Sequence, residues 1–107
     1  MKNRNAQKLE AITPSTLIVG VDIAKELQWA RFVDYRGLEI GKALKFRNYK
    51  SGFESILASI EANCKNKGLN NVIVGMEPTG HYWKPLANYL MMHRIPVVMV
   101  NPYHKML

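Results

Sequence analysis

Two carboxylates carry the clearest chemical signal in the sequence. Asp22 interrupts the apolar run T-L-I-V-G-V-D-I of residues 16–23, and Glu77 directly follows the apolar run N-V-I-V-G-M of residues 71–76. Two ionised carboxylates that share one site repel each other, and a divalent cation relieves that repulsion. A ligand set of oxygens alone favours Mg²⁺ or Mn²⁺, the ions used in phosphodiester chemistry. Asp22 and Glu77 are therefore candidate metal ligands and catalytic residues.

Each acid also has an ordinary structural interpretation. A lone acid at the end of an apolar strand can cap a helix, form a turn or pair with a cation. A site for two metals also draws on three or four acids, and the missing ones are not obvious in the sequence. The other candidates are expected on an opposing strand end or a solvated helix face: Asp34, Glu39, Glu54 and Glu61. The site is expected to be half built.

The first half of the chain predicts three strands. Residues 16–23 are β-branched and apolar almost throughout, as in a strand buried on both faces at the centre of a sheet. Residues 27–34 alternate between polar and apolar, and residues 38–46 resume the pattern after a turn at Tyr35-Arg36-Gly37. A meander of three antiparallel strands follows.

The second half alternates helices and strands. Ser51 and Glu54 have the spacing of a capping box, and the helix they open is expected to end at Gly68, with Cys64 in the core. A strand over 71–76, a helix with Pro85 in its first turn and a strand over 95–100 complete the pattern.

The predicted order β-β-β-α-β-α-β is an α/β arrangement with the ribonuclease-H-like layout of a mixed sheet. In that layout the first and fourth strands are neighbours, so Asp22 and Glu77 meet at one edge. We expect a flexible basic leader over residues 1–15 and a single domain over 16–107 that is truncated at its C-terminal end.

Composition narrows the class of protein. The formal net charge of +7 in 107 residues favours a polyanionic partner, although a merely soluble basic surface gives the same number. Cys64 is the only cysteine, which excludes an intrachain disulfide and makes a reducing, cytoplasmic setting the default. No apolar run is long enough for a membrane span, so no membrane partner is expected.

Residues near the two acids are candidates for binding nucleic acid. Lys25 follows the first strand within reach of a phosphate, although a solvated loop lysine fits as well. Thr79 and Gly80 lie where a turn enters a helix, a place that can bind phosphate but that any helix start also requires. Tyr82 and Lys84 belong to an aromatic and basic segment of the kind that contacts single strands.

Three motifs resemble one family. They are V-G-V-D-I-A-K at residues 19–25, G-M-E-P-T-G-H-Y-W-K-P-L-A at residues 75–87, and I-P-V-V-M-V-N-P at residues 95–102. Together they resemble the DEDD transposases of the insertion-sequence one-ten family, which are related to the Piv DNA invertase.

The resemblance implies a RuvC-like nuclease domain whose four acids bind Mg²⁺ (or Mn²⁺) and promote DNA strand cleavage and exchange. Asp22 matches the first acid and Glu77 the second. The other two, and a C-terminal domain that carries a serine, would lie beyond Leu107, so this chain alone is expected to be inactive. DNA is the implied partner, a guide (bridge) RNA directs some members, and the full-length protein is expected to be a homo-oligomer at the bacterial or archaeal nucleoid.

Two other functions stay open at this point. Actin-like ATP-binding proteins and sugar kinases open with the same meander and a G-x-D strand end, although Ala24 and Lys25 replace the small residues of their phosphate loop. A noncatalytic nucleic-acid-binding module is the third alternative.

Overall fold

The computed structural model describes residues 12–78 and 80–100. Within them, five strands and two helices follow in the order β-β-β-α-β-α-β. They are β1 (Thr16–Asp22), β2 (Leu27–Val33), β3 (Leu44–Arg47), α1 (Lys50–Lys67), β4 (Asn71–Met76), α2 (Lys84–Met92) and β5 (Val97–Met99).

The strands form one mixed sheet in the order β3-β2-β1-β4-β5. β1 pairs antiparallel with β2 and parallel with β4, while β5 continues the parallel half. The predicted meander is present, because β2 also pairs antiparallel with β3. This mixed α/β architecture confirms the predicted class and is consistent with a ribonuclease-H-like domain.

The core lies between one face of the sheet and the two helices. Ile56 and Ile60 of α1, and Leu86 and Leu90 of α2, are buried in one cluster with Val19 and other residues of that sheet face. We call this the covered face. Truncating one of these aliphatic side chains to alanine typically costs about 2–5 kcal/mol.

The other face of the sheet is exposed, and here the expectation of a doubly buried β1 is wrong. Leu17, Val19 and Val21 point into the core, whereas Gly20 and Asp22 are exposed and Ile18 is half-buried. Both described helices lie on the covered face, so nothing described shields the alternate residues. An unbroken apolar run predicts a strand, but it does not report whether a second layer is present.

The start of α1 differs from the prediction. The helix begins at Lys50 after Tyr49, which makes no side-chain capping hydrogen bond, so Ser51 and Glu54 do not form a capping box. The connection from β3 is tight: a Cβ atom on Gly52 would collide with the carbonyl oxygen of Arg47. The helix therefore starts at a close contact with β3 and without a side-chain cap. Its end agrees with the prediction, since Gly68 adopts a left-handed conformation with φ of 66°.

Two strands are shorter than predicted. β3 was expected over 38–46, but Gly41 has φ of 65° and breaks the run, which leaves a single bridge between Val33 and Glu39. β5 is three residues long, narrower than the predicted 95–100. In contrast, Pro85 lies in the first turn of α2 as predicted.

Hydrogen bonds connect the segment just before β1 to the start of β4. The carbonyl of Ser15, which the sequence places in the leader, accepts hydrogen bonds from the N–H groups of Asn70 and Asn71 at 2.9 and 3.1 Å. Leader residues 1–11 and the last two residues of the I-P-V-V-M-V-N-P motif, Asn101 and Pro102, lie outside the described residues. Neither α1 nor α2 is long and apolar enough to cross a bilayer.

Candidate active site

Asp22 and Glu77 lie next to each other at one end of the sheet. Asp22 is the last residue of β1, and Glu77 follows the last residue of β4. The two parallel strands are in register through Val21 and Met76, so each acid stands one residue beyond a paired position. Both line one cleft of about 580 Å³. The structure therefore brings together the two acids that the sequence singles out.

The cleft opens on the exposed face of the sheet. Asp22 is exposed and Glu77 is half-buried, which leaves room for water and a phosphate beside them. Arg31 and Val100 line opposite sides of the cleft, on β2 and just after β5. The site is an open groove on a rigid sheet.

Two glycines form the floor of this cleft. Gly20 of β1 and Gly75 of β4 are paired across the parallel ladder and both line the cleft. A Cβ atom on Gly20 would meet nothing within 4 Å, and one on Gly75 would touch only the Val100 side chain at 3.4 Å. The absence of side chains at these positions is not required by packing. It lets a ligand approach the bare backbone closely.

The donor set fits part of a Mg²⁺ site. Mg²⁺ in proteins is commonly bound by one or two carboxylates together with water and substrate phosphates, which matches two acids in an open cleft. Among residues 12–78 and 80–100, no group of three or more His, Cys, Asp or Glu side chains could hold a metal. Within the described part of the chain, Asp22 and Glu77 are the carboxylates that line this cleft.

The four other candidate acids, Asp34, Glu39, Glu54 and Glu61, lie elsewhere. Glu39 forms an ion pair with Arg31 at 3.1 Å, and Glu54 and Glu61 are exposed on α1. Asp34 lies in the β2–β3 turn, where its Oδ1 accepts hydrogen bonds from the N–H groups of Arg36 and Leu38 at 2.8 and 3.0 Å. None of these four joins the cleft of Asp22.

Asp34 nevertheless shows how its turn is held. Loss of hydration raises its pKa, but hydrogen bonds from the Leu38 N–H and from the side chain and N–H of Arg36, with the Arg36 charge, together lower the pKa below 3.8. The carboxylate is thus a structural anion of the turn.

Burial also raises the pKa of the Cys64 thiol, which packs against the core as predicted.

Most of the residues predicted to bind nucleic acid lie in loops. Lys25 is exposed in the β1–β2 loop, Gly80 and Tyr82 are exposed in the turn before α2, and Lys84 is the exposed first residue of α2. Thr79 lies outside the described residues.

Asn48 joins the loops that hold these candidates. Its backbone N–H donates to the Glu26 carbonyl at 3.2 Å, and its Nδ2 donates to the Tyr82 carbonyl at 3.4 Å. The loop after β1 and the turn after β4 are therefore tied together at the same end of the sheet as Asp22. In the turn, the half-buried Trp83 donates from Nε1 to the Gly80 carbonyl at 3.1 Å and packs on the core. Trp83 therefore supports the turn and contributes to the core.

The exposed face also presents residues that the sequence reasoning did not select. Trp29 pairs with Asp22 across the β1–β2 ladder, and Lys45 pairs with Trp29 across the β2–β3 ladder. The Lys45 Nζ lies 5.4 Å from the centroid of the Trp29 ring. A signal was present, because the alternation of residues 27–34 places Trp29 and Arg31 on one face.

Comparison with known families and proteins gives an independent result. A family model for DEDD transposases of the insertion-sequence one-ten type, described as Transposase, matches residues 19–106. Two relatives are named pilin gene-inverting protein, from Moraxella lacunata and Moraxella bovis, and each is 31% identical over 90 residues. The match covers 84% of the chain and 26% of each relative, so the chain spans about a quarter of their length.

Proposed function

Since the chain belongs to the transposase family of the insertion-sequence one-ten type, we propose that it carries the first half of a RuvC-like, four-acid site for DNA cleavage and strand exchange. The main observation that supports this proposal is geometric: Asp22 and Glu77 lie at the ends of two adjacent parallel strands and line one open cleft. The family match favours this function over the ATP-binding alternative.

In this proposal Asp22 and Glu77, which line the cleft, would hold Mg²⁺ (or Mn²⁺). The bound ion would neutralise charge on the phosphodiester and polarise it for attack. The chain itself supplies rigidity, because both acids are attached to strands at the centre of the sheet rather than to mobile loops.

The partners follow from the same proposal. DNA is the substrate, in keeping with the net charge of +7 and with relatives that are named for inverting a gene. A bridge RNA as guide, a homo-oligomeric full-length protein and action in the cytoplasm at the nucleoid complete the proposal. Residues 1–107 alone would not cleave DNA, because two carboxylates supply half of the ligands of such a site.

Conservative changes at the two acids test the proposal. In the full-length protein, Asp22→Asn and Glu77→Gln should each lower strand cleavage and exchange at least about a hundredfold, since even outer-shell partners of a metal change activity about 10- to 100-fold. Glu61→Gln removes an exposed acid from α1 and serves as the control with the same loss of charge. Recombination assays in Mg²⁺ would measure all three variants. Full activity of Asp22→Asn would show that this carboxylate is structural.

A measurement of ATP binding separates the functional classes. The transposase proposal expects DNA cleavage that needs a divalent ion and no affinity for ATP. Tight ATP binding that depends on Asp22, without nuclease activity in the full-length protein, would instead support the actin-like alternative.

A further inference from the structure

The exposed face of the sheet has two chemically different halves. On the side of β4 and β5 it is apolar, with Ile73, Val98 and Val100. On the side of β2 and β3 it presents Trp29, Arg31 and Lys45, which we call the Trp29 platform. Asp22 lies between the two halves, so the platform directly adjoins the candidate active site.

The Trp29 ring is available for stacking. Its residue is 43% exposed although it is in the second strand of a five-stranded sheet. The Lys45 Nζ lies over one face of the ring, 5.4 Å from its centroid, so a base that stacks on that face must displace it. An exposed aromatic ring on a flat sheet, beside basic side chains, is the arrangement on which unpaired bases stack.

The charges around the ring suit a phosphate backbone. Lys45 pairs with Trp29 from β3, and Arg31 lies two residues further along β2 on the same face. On the other side, Asp22 pairs with Trp29 from β1, and Arg31 lines a small pocket with Asp22, Trp29 and Gly20. Glu39 pairs with Arg31, but both side chains are about two-thirds exposed, so the pair is weak and the guanidinium can turn to a phosphate.

The glycine floor connects the platform with the acids. Arg31 pairs with Gly20, and Gly20 pairs with Gly75, so bare backbone extends from the platform into the cleft of Asp22 and Glu77. A strand that is bound at Trp29 can therefore lie close to the sheet as it reaches the acids.

We propose that the Trp29 platform binds one unpaired DNA strand, with a base stacked on Trp29 and its phosphates beside Arg31 and Lys45, and that it leads this strand over Gly20 to the acids. The proposal rests on the proposed function for its substrate and adds a positioning surface to it. A duplex does not fit this role, because its bases are already stacked on one another and present no free face to the ring.

Equilibrium binding to the chain of residues 1–107 tests the platform without any need for catalysis. The probe is a fluorescent oligodeoxyadenylate of about 12 nucleotides, within the site size of single-strand binding domains. Trp29→Leu should weaken its binding roughly tenfold and abolish the quenching of tryptophan fluorescence that stacking produces. The matched control is Tyr35→Leu, which removes an aromatic residue of similar exposure from the turn beyond β2.

Two double variants of equal net charge test whether the charges of the platform contribute to binding. Arg31→Gln with Lys45→Gln removes two charges from the platform, and Lys65→Gln with Lys67→Gln removes two exposed charges from the last turn of α1. The first double variant should bind the oligonucleotide more weakly than the second, although their net charges are equal. Equal binding would mean that only overall charge matters and would overturn the proposal.

Other outcomes are equally decisive. Unchanged affinity of Trp29→Leu for the single strand would overturn the platform. So would a duplex of the same sequence that binds more tightly than the single strand, with equal affinity for the parent chain and Trp29→Leu. The result is separable from the proposed function, because Asp22→Asn is judged by recombination in the full-length protein and the platform by binding. Loss of recombination in Asp22→Asn together with unchanged binding in Trp29→Leu would refute the platform alone.

Discussion

At the scale of single residues, the molecule separates residues that maintain the fold from residues that are available for chemistry. Along β1, Val19 and Val21 are buried in the core, while Gly20 and Asp22 face the open side. Alternation along one strand therefore allows a residue on the exposed face to change with little effect on packing.

Gly20 gives the first prediction. Replacing it by alanine and then by valine adds volume to the floor of the cleft, where a Cβ atom meets nothing within 4 Å. Because valine also favours strands over glycine, the melting temperature should stay the same or rise. Binding of the single-stranded oligonucleotide should fall stepwise with side-chain size. Valine that leaves binding intact would show that no ligand approaches this floor.

Asp34 gives the second prediction, which concerns pH. Its pKa in the folded protein is lowered below 3.8, so the ionised carboxylate contributes stability that is fully present above that value and is lost as the pH falls through the folded pKa. Asp34→Asn should therefore be less stable than the parent at pH 7, and the difference should shrink as the pH drops below about 4. Urea melts at several pH values measure this. Glu54→Gln, an exposed acid on α1, is the control.

At the scale of elements, the junction between β3 and α1 is tightly packed. Gly52 lies buried against the carbonyl of Arg47, and Ser55 closes the same turn by donating from its hydroxyl to the Gly52 carbonyl at 2.7 Å. Asn48 then links this junction to the turn before α2. The start of α1 therefore helps position the loops that surround the candidate site.

A single methyl group should disturb this junction. Alanine is normally preferred to glycine inside a helix, but Gly52→Ala would force the backbone of Arg47 to move, at a cost of roughly 1–3 kcal/mol. Asn66→Ala, at an exposed position of the same helix, should be neutral or slightly stabilising. Thermal or urea unfolding of both variants tests the contrast. A gain in stability for Gly52→Ala would mean that the helix can shift away from β3 without loss.

At the scale of the whole molecule, local patterns predicted the elements better than they predicted the layers. Apolar periodicity located the strands and helices, and the position of acids at the ends of the first and fourth strands identified the cleft. The same patterns could not show that β1 is covered on one side only, because Ile18 is as apolar as its buried neighbours. Burial of an alternate residue depends on whether another layer packs there, and a local sequence pattern carries no information about that layer.

The other differences between the predicted and the observed structure also arise from contacts between elements that are distant in sequence. Ser51 and Glu54 satisfy the spacing of a capping box, yet the tertiary contact of Gly52 with β3 takes precedence over that local signal. The Trp29 platform combines residues from two strands, so it becomes visible only when the register of β2 and β3 is known. The acids were accessible to sequence reasoning because each marks the end of its own strand.

The position of β1 in the sheet has a consequence for biosynthesis. One side of β1 can pair with β2 as soon as that neighbouring strand emerges, but the other side pairs with β4, which starts at Asn71. Until β4 (Asn71–Met76) has been made and has left the ribosome, a nascent chain that has paired β1 with β2 presents a β1 edge with unpaired backbone groups. Such edges are templates for wrong pairing between chains. Between the synthesis of β1 and the synthesis of β4, this β1 edge is thus exposed to other chains. Because α1 is made in that interval, it must pack without covering the edge that β4 will occupy.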